Sequence, residues 1–337
     1  MSVAVMIPTL RRPAGLERAL RSVFAQTGLE DRLLEIVVVD NSPEASARAQ
    51  VERLAPEAPA PLRFVHAARP GVATARNAGL REITAAQVAF LDDDEVAAPD
   101  WLAELLRVQE QHAADVTFGR VRGRAPSAPA RERPHIERFF SRLRPEPEGP
   151  LPDVDGCGCG NSVMRRATAL AGADPFDTGA DTIGGEDDRL FIRLAAVGGR
   201  FAWAPGAVVD EEVPPARATA AYVLRRALAM GQGPTRIRLR RSPPDRLGAF
   251  GWMLVGAAQL AGHGAAALAL RAIGRPGWLA QADRASRGLG KVVWWPELAF
   301  YGAGAAAARP SRPPSPAALG SASRVSSATK ITQVKSL

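Results

Sequence analysis

The sequence predicts an α/β protein whose mostly parallel sheet is flanked by helices. Short apolar runs alternate with segments of helical periodicity, and a polar or acidic side chain follows most of the apolar runs. The predicted strands are residues 3–7, 35–39, 62–66, 88–91 and 115–121, and the predicted helices between them are residues 14–26, 71–83 and 101–111. This order of strand, helix and strand implies right-handed crossovers, which place consecutive strands parallel in one sheet.

The composition of the 337 residues is that of a folded protein, with 46% hydrophobic and 23% charged residues. A net charge of +8 and a pI near 10.5 favour an anionic partner, such as nucleotide phosphates, a lipid surface or nucleic acid. Only Cys157 and Cys159 carry thiols, so we expect no disulfide framework and a reducing compartment. The first residues enter a strand directly, which does not resemble a signal peptide.

The strand predicted at residues 88–91 ends on four consecutive acids, Asp92, Asp93, Asp94 and Glu95. In open α/β sheets the carboxyl ends of the strands are where ligands bind. Carboxylates this close repel one another and require a counter-charge. Their hard oxygens suit Mg²⁺ or Mn²⁺, which commonly carry the phosphates of a substrate. The alternative is a solvated acidic turn.

Asp40 ends the second predicted strand and allows two interpretations. The run Asp40-Asn41-Ser42-Pro43 is an ordinary Asx-type turn, but an acid there also accepts hydrogen bonds from a base or a ribose. No glycine-rich phosphate-binding motif follows the first strand. Phosphate would therefore be held by a metal ion and by arginines such as Arg76. The alternative is that these arginines belong to a solvated helix face.

A second acidic group, Glu186-Asp187-Asp188, follows two glycines and begins a predicted helix. The helix dipole alone favours acids at this position, although three in succession exceed what capping needs. The small residues 156–161 indicate close approach of the backbone to a ligand. Cys157 and Cys159 receive no role, because they lack further soft ligands nearby for a metal and a base for catalysis.

Several motifs follow one another along the first half of the chain: Ile7-Pro8-Thr9 with Arg11-Arg12-Pro13, residues 37–42, residues 69–71 with 75–79, and Phe90-Leu91-Asp92-Asp93-Asp94. They resemble those of family 2 glycosyltransferases of the GT-A fold, in the branch that contains the ExoM-type succinoglycan-synthesis glucosyltransferases. The resemblance covers about residues 3–232. It implies a Rossmann-like GT-A domain over residues 1–232. Composition predicts a basic and then apolar helical region over residues 233–308, and a disordered tail rich in Ser, Pro and Ala over residues 309–337.

The resemblance also implies a role for each matching residue. Pro8 and Thr9 would line the pocket for the nucleotide base, and Asp40 would bind the base or ribose. Arg76 would lie near the diphosphate or the sugar. Asp92 and Asp94 match the two acids of the DxD motif that holds Mn²⁺ or Mg²⁺, and Asp92 and Asp93 would also contact the donor. Asp187, with its neighbour Glu186, matches the catalytic base, which takes the proton of an acceptor hydroxyl.

The C-terminal third combines positive charge with apolar stretches. Residues 217–246 carry eight arginines against one acid, and residues 248–270 are free of formal charge and about long enough to span a bilayer. With a second apolar stretch at residues 292–308, they would form a membrane hairpin, helices in the membrane interface, or a soluble helical subdomain. Residues 122–152 are rich in arginine and proline, and we expect a long loop on the acceptor side.

The expected function is therefore that of an inverting, metal-dependent glycosyltransferase of bacterial exopolysaccharide or envelope glycan synthesis. The expected donor is a nucleotide sugar, a UDP-sugar first, and the expected acceptor is a polyprenyl-diphosphate-linked glycan. The expected location is the cytoplasmic face of the plasma membrane, or the cytoplasm, with no nucleic acid bound. The alternatives are a sugar nucleotidyltransferase, a non-catalytic membrane-bound scaffold and a nucleic-acid-binding protein.

Overall fold

The computed structural model describes residues 1–29, 31–181 and 184–298. The first half contains β1 (Val3–Thr9), α1 (Pro13–Phe24), β2 (Leu33–Asp40), α2 (Arg48–Leu54), β3 (Leu62–His66), α3 (Val72–Glu82), β4 (Gln87–Phe90), β5 (Glu95–Ala97), α4 (Trp101–Gln111) and β6 (Val116–Arg124). The second half contains α5 (Arg133–Phe140), β7 (Gly149–Pro150), β8 (Ser162–Arg165), α6 (Glu186–Ala196), β9 (Phe201–Glu212), α7 (Ala220–Leu239), α8 (Arg246–Ala272) and α9 (Trp278–Val292).

The sheet confirms the predicted α/β class and GT-A architecture, and its pairing is mixed. Its order is β3-β2-β1-β4-β8-β6-β9-β5, with β7 paired to β9. The strands β3, β2, β1 and β4 are parallel, as the alternation of strands and helices predicts. Beyond β4, β8 pairs antiparallel with both β4 and β6. The chain enters β8 at Ser162, beside Phe90 at the end of β4, and therefore runs in the opposite direction. The strands β5, β7, β8 and β9 were not predicted.

Two apolar layers cover the two faces of this sheet. Val5, Ile7 and Val38 point to the face covered by α1 and α4, where Trp101 and Leu105 are fully buried. Met6, Val37 and Phe90 point to the other face, where Phe118, Phe176 and Phe191 are buried. Side chains alternate between the faces of a strand, so the uninterrupted apolar runs of β1 and β2 are what a doubly covered sheet requires.

The region predicted as a long loop, residues 122–152, contains regular structure. β6 extends to Arg124, and α5 occupies Arg133–Phe140. Pro134 lies in the first turn of α5, where its missing N–H costs nothing. The prediction of an unstructured segment was wrong here because α5 has only about two turns, so its apolar spacing does not stand out among the surrounding arginines and prolines.

The C-terminal helices α7, α8 and α9 pack against one another. α7 crosses residue 232, where the predicted boundary lies, and that boundary stays a prediction. Among the described residues, α8 alone is long and apolar enough by length and composition to cross a membrane, with a mean hydropathy of 1.4 over its most apolar window. The predicted tail 309–337, and residues 299–308 of the second apolar stretch, lie outside the described residues.

Candidate active site

The ends of β1, β2 and β4 bring the predicted donor residues to one edge of the sheet. Thr9 and Asp40 are direct partners in the parallel register of β1 and β2, and the acidic loop begins two residues after Phe90. Pro8 precedes Thr9 in β1 and is half-buried. The structure therefore brings together the carboxyl-edge residues that the sequence predicted.

Asp93 is held by the start of the chain. The Thr9 hydroxyl donates to Asp93 Oδ2 at 2.8 Å, and Arg12 Nη1 donates to Asp93 Oδ1 at 2.9 Å and to Asp94 Oδ2 at 2.6 Å. Gly15 allows this approach, because a Cβ atom there would lie 2.4 Å from the Asp93 carbonyl oxygen. Burial raises the pKa of Asp93 to about 6, against the opposing charge of Arg12.

Asp92 contacts the acidic loop through its backbone and Arg76 through its side chain. Its backbone N–H donates to Glu95 Oε2 at 3.0 Å, and its carboxylate lies 3.6 Å from Arg76 Nη2. Burial raises the pKa of Asp92; the positive charge of Arg76 opposes this rise and the negative charge of Asp94 adds to it. A cation placed here would relieve the crowding of negative charge.

Arg76 joins the two acidic groups that are far apart in the sequence. It is buried on α3, forms an ion pair with Glu186 and faces Asp92, and its guanidinium lies 5.5 Å from the centroid of the Phe176 ring. Burial raises the pKa of Glu186, while Arg76 opposes that rise. The two acidic clusters thus share the guanidinium of Arg76. An independent acidic turn and an independent helix cap would not need a shared counter-charge.

Asp187 lies in the first turn of α6, preceded by Gly185 in the left-handed region (φ 82°). The backbone N–H of Cys159 donates to Asp187 Oδ2 at 3.2 Å, and that of Asp188 donates to Oδ1 at 3.0 Å. The segment 158–160 therefore touches both acidic clusters, because a Cβ atom at Gly160 would lie 2.5 Å from Asp92 Oδ2. The contribution of Cys159 at this point is its backbone N–H group.

Asp40 forms the turn that its sequence permits. It is fully buried and accepts hydrogen bonds from the backbone N–H groups of Ser42 at 2.8 Å and Ala47 at 2.6 Å. The first bond closes an Asx turn. Asn41, beside it, accepts from the N–H of Gly71 and so ties β2 to the start of α3. A role of Asp40 toward a nucleoside stays a prediction.

The acidic loop fits a metal ion that shares its ligands with a substrate. No three His, Cys, Asp or Glu side chains converge on one metal position within residues 1–29, 31–181 and 184–298. The side chains of Asp92 and Asp94 keep 33% and 23% of their surface exposed. Mg²⁺ and Mn²⁺ are commonly held by one or two carboxylates plus substrate phosphates, so two partly open acids suit such an ion.

A buried network beside the acidic loop escaped sequence reasoning. Arg142 lies 3.0 Å from Glu95 Oε1 and 3.5 Å from Glu211 Oε2. Burial raises the pKa of Glu95 well above its usual range and that of Glu211 to about 7. Glu95 was visible as the fourth acid of the loop, but nothing in the local sequence connects it with a β9 residue. Arg12 belonged to a recognised motif without an assigned contact.

A cavity of about 200 Å³ opens next to this network. Residues 141–144, 155–158 and 160–161 line it together with Trp203 and the residues Phe118 and Gly119 of β6. Trp203 is buried, and its indole nitrogen has no hydrogen-bond partner among the described residues. Trp203 thus gives the cavity an aromatic wall beside the segment that contacts Asp187.

A GT-A sheet with an acidic loop at its carboxyl edge points to the class of glycosyltransferases. The profile of "Glycosyl transferase family 2" matches residues 4–169. The chain is 35% identical over 233 residues to "Succinoglycan biosynthesis protein ExoM" of Rhizobium meliloti (strain 1021), which covers 69% of this chain and 74% of that protein. The chain belongs to the family 2 glycosyltransferases and is of the ExoM type.

A second relative and a solved structure are also similar to this chain. "Succinoglycan biosynthesis protein ExoW" of Rhizobium meliloti (strain 1021) is 34% identical over 124 residues, which are 36% of this chain and 38% of that protein. Among solved structures, S. aureus TarS 1–349 in complex with UDP-GlcNAc superposes with a TM-score of 0.50 at 16% identity, over 74% of this chain and 70% of that chain. This last likeness shows the fold.

Proposed function

We propose that this glycosyltransferase transfers a sugar, with inversion, from a UDP-sugar to a hydroxyl of a polyprenyl-diphosphate-linked glycan. The observation that carries the proposal is the convergence of the two acidic clusters. Arg76 faces Asp92 and pairs with Glu186, and residues 158–160 contact both Asp92 and Asp187. A donor-binding carboxylate and a proton acceptor thus lie on the two sides of one short backbone segment.

On the donor side, Pro8, Thr9 and Asp40 would surround the nucleoside at the ends of β1 and β2. Asp92 and Asp94 would hold Mn²⁺ or Mg²⁺, which supplies Lewis-acid stabilisation of the leaving nucleoside diphosphate. Arg76, which is already neutralised by two acids, would orient Asp92 and Glu186 toward the donor.

On the acceptor side, the cavity beside Trp203 would bind the glycan. Asp187 would take the proton of the attacking hydroxyl while the new bond forms at the anomeric carbon and the bond to the diphosphate breaks. The N–H groups of Cys159 and Asp188 hold the Asp187 carboxylate in a fixed orientation. Attack opposite the leaving group inverts the anomeric centre.

The names of two relatives refer to succinoglycan biosynthesis. They support a role in the synthesis of a bacterial exopolysaccharide. A lipid-linked acceptor would place the enzyme at the cytoplasmic face of the plasma membrane, and the apolar helix α8 agrees with that location. Membership of a glycosyltransferase family argues against the nucleotidyltransferase alternative. The products distinguish the two activities, because a nucleotidyltransferase would release pyrophosphate.

Asp187→Asn is the sharpest test of the mechanism, with Asp188→Asn as the matched control. Asp188 lies one residue further along α6 and is exposed. Removing the base should lower acceptor-dependent UDP release by at least about a hundredfold and leave UDP affinity with Mn²⁺ nearly unchanged. The control should keep both activities. Full transfer by Asp187→Asn would refute the assignment of the base, and failure of the wild type to bind any UDP-, GDP-, dTDP- or CDP-sugar would refute the donor class.

A further inference from the structure

The positive charge of this chain is concentrated in its C-terminal helices. Residues 1–216 contain 25 basic and 32 acidic residues, whereas residues 217–298 contain 13 basic and 3 acidic residues. The catalytic part is therefore net negative, and the unit formed by α7, α8 and α9 is strongly positive. A positive unit attached to an acidic domain is suited to an anionic surface.

The unit also exposes an apolar strip along α8. Leu247, Phe250, Leu254 and Leu268 are exposed by 86%, 59%, 57% and 71% in the part of the chain that the structure describes. No formal charge lies between Arg246 and Arg271. Only 11% of the most apolar window of α8 is buried. Apolar strips of this length on a soluble protein mark a contact surface.

The other side of α8 is closely packed on α9. Gly256 and Gly288 meet at the helix crossing, where a Cβ atom at Gly256 would lie 2.6 Å from the Gly288 carbonyl oxygen. Lys291 Nζ donates to Gln259 Oε1 at 2.9 Å, and His263 Nδ1 lies 2.7 Å from Gln281 Oε1. The polar residues that lower the hydropathy of α8 are therefore used in pairing with α9.

This pairing argues against a spanning helix. α8 has 27 residues and would cross a hydrocarbon core of about 30 Å. Its partner α9, aligned beside it, would then bring Asp283, Arg284, Arg287 and Lys291 to membrane depth. Charged side chains at that depth are expensive, whereas a helix in the interface leaves them outside the hydrocarbon core, on the aqueous side of the bilayer.

We propose that α8 lies in the plane of an anionic bilayer, with its apolar strip below the headgroups and its partner helix α9 on the aqueous side. Exposed arginines at both ends of α8, Arg241, Arg246, Arg271 and Arg275, contact the lipid phosphates. The inference rests on the proposed membrane association and decides its geometry.

The position of the helical unit connects this surface with the acceptor site. His135 of α5 lies 3.2 Å from Asp283 of α9, and the ring of Phe140 stacks on Tyr222 of α7. The chain leaves α5 directly into residues 141–144, which line the cavity beside Trp203. An interfacial α8 would thus hold the acceptor cavity close to the lipid from which a polyprenyl-linked glycan projects.

Flotation of the full chain with preformed vesicles tests the surface. We expect binding to vesicles that contain phosphatidylglycerol, and weak binding to pure phosphatidylcholine or at high salt. The double variant Leu254→Glu/Leu268→Glu should lower partitioning by at least about tenfold, because two exposed apolar side chains that would enter the bilayer are replaced by charges. Val197→Glu, an equally exposed site at the end of α6, is the control. Absent binding, or equal binding to neutral vesicles, would overturn the proposal.

Cysteine accessibility distinguishes the two geometries. In a Cys157→Ser/Cys159→Ser background, Ser242→Cys and Ala272→Cys mark the two ends of α8. In inverted membrane vesicles both thiols should react with an impermeant maleimide. Protection of one of them until detergent is added would mean a spanning helix. UDP binding on the same samples reports the donor site separately, so a failed donor hypothesis and a failed membrane geometry give different results.

Discussion

The contact between Gly160 and Asp92 leads to a prediction whose size follows from the structure. A Cβ atom at Gly160 would lie 2.5 Å from Asp92 Oδ2 and 3.0 Å from Glu95 Oε1, whereas ordinary contact begins at 3.4 Å. Gly160 has no positive φ, so alanine is strained there by space and not by backbone conformation. In Gly160→Ala the Asp92 carboxylate must therefore move by about 1 Å.

A displacement of about 1 Å at a positioning group costs on the order of a hundredfold in rate, or about 2.7 kcal/mol of transition-state stabilisation. We expect kcat/KM for the donor to fall by about that factor in Gly160→Ala. The affinity for UDP should weaken with Mn²⁺ present and change little without it. The measurements are UDP release and isothermal titration with UDP.

Gly158→Ala is the matched control two residues away. Its Cβ atom would lie 2.7 Å from Nη1 of Arg142, which pairs with Glu95 and Glu211, and would make ordinary contact with Asp187 at 3.6 Å. It would therefore not clash with Asp92 directly. Asp92→Asn removes the charge without adding volume and should reproduce the loss of Mn²⁺-dependent UDP binding. If Gly160→Ala turns over donor as fast as Gly158→Ala, and Asp92→Asn also keeps its metal dependence, Asp92 is not part of the donor site.

Two further predictions concern the charges around the acidic loop. Arg12 occupies the counter-charge position of Asp94, so Arg12→Gln should tighten Mn²⁺ binding in the absence of nucleotide by several-fold, about 1 kcal/mol; weaker Mn²⁺ binding in a titration followed by electron paramagnetic resonance would contradict this competition. Burial raises the pKa of Glu211 from 4.5 to about 7, so its stabilising contribution is present below pH 4.5 and is lost as the pH rises through 7. The Tm of Glu211→Gln should therefore rise relative to wild type across that window, and a Tm difference independent of pH would show that Glu211 does not titrate there.

The sequence alone indicated the parallel half of the sheet and its functional edge. Burial on both faces requires uninterrupted apolar runs, and β1, β2 and β4 have them. The local sequence is therefore sufficient to predict these strands and to show the acids that follow them. α4 follows a Pro-Asp pair and shows helical periodicity, and its predicted bounds, residues 101–111, agree with the structure. The motif order was sufficient to indicate the family.

Tertiary structure decided what those local signals leave open. The antiparallel insertion of β8 and the ion pairs of Arg76 and Arg142 join residues that are distant in sequence, and no periodic pattern encodes such partners. Asp40 admitted two interpretations; the hydrogen bonds that it accepts from Ser42 and Ala47 establish the turn, and its role toward a nucleoside stays a prediction. For α8 the sequence determined an apolar helix, but a helix has two sides, and only the glycine-lined contact with α9 determines which one stays exposed.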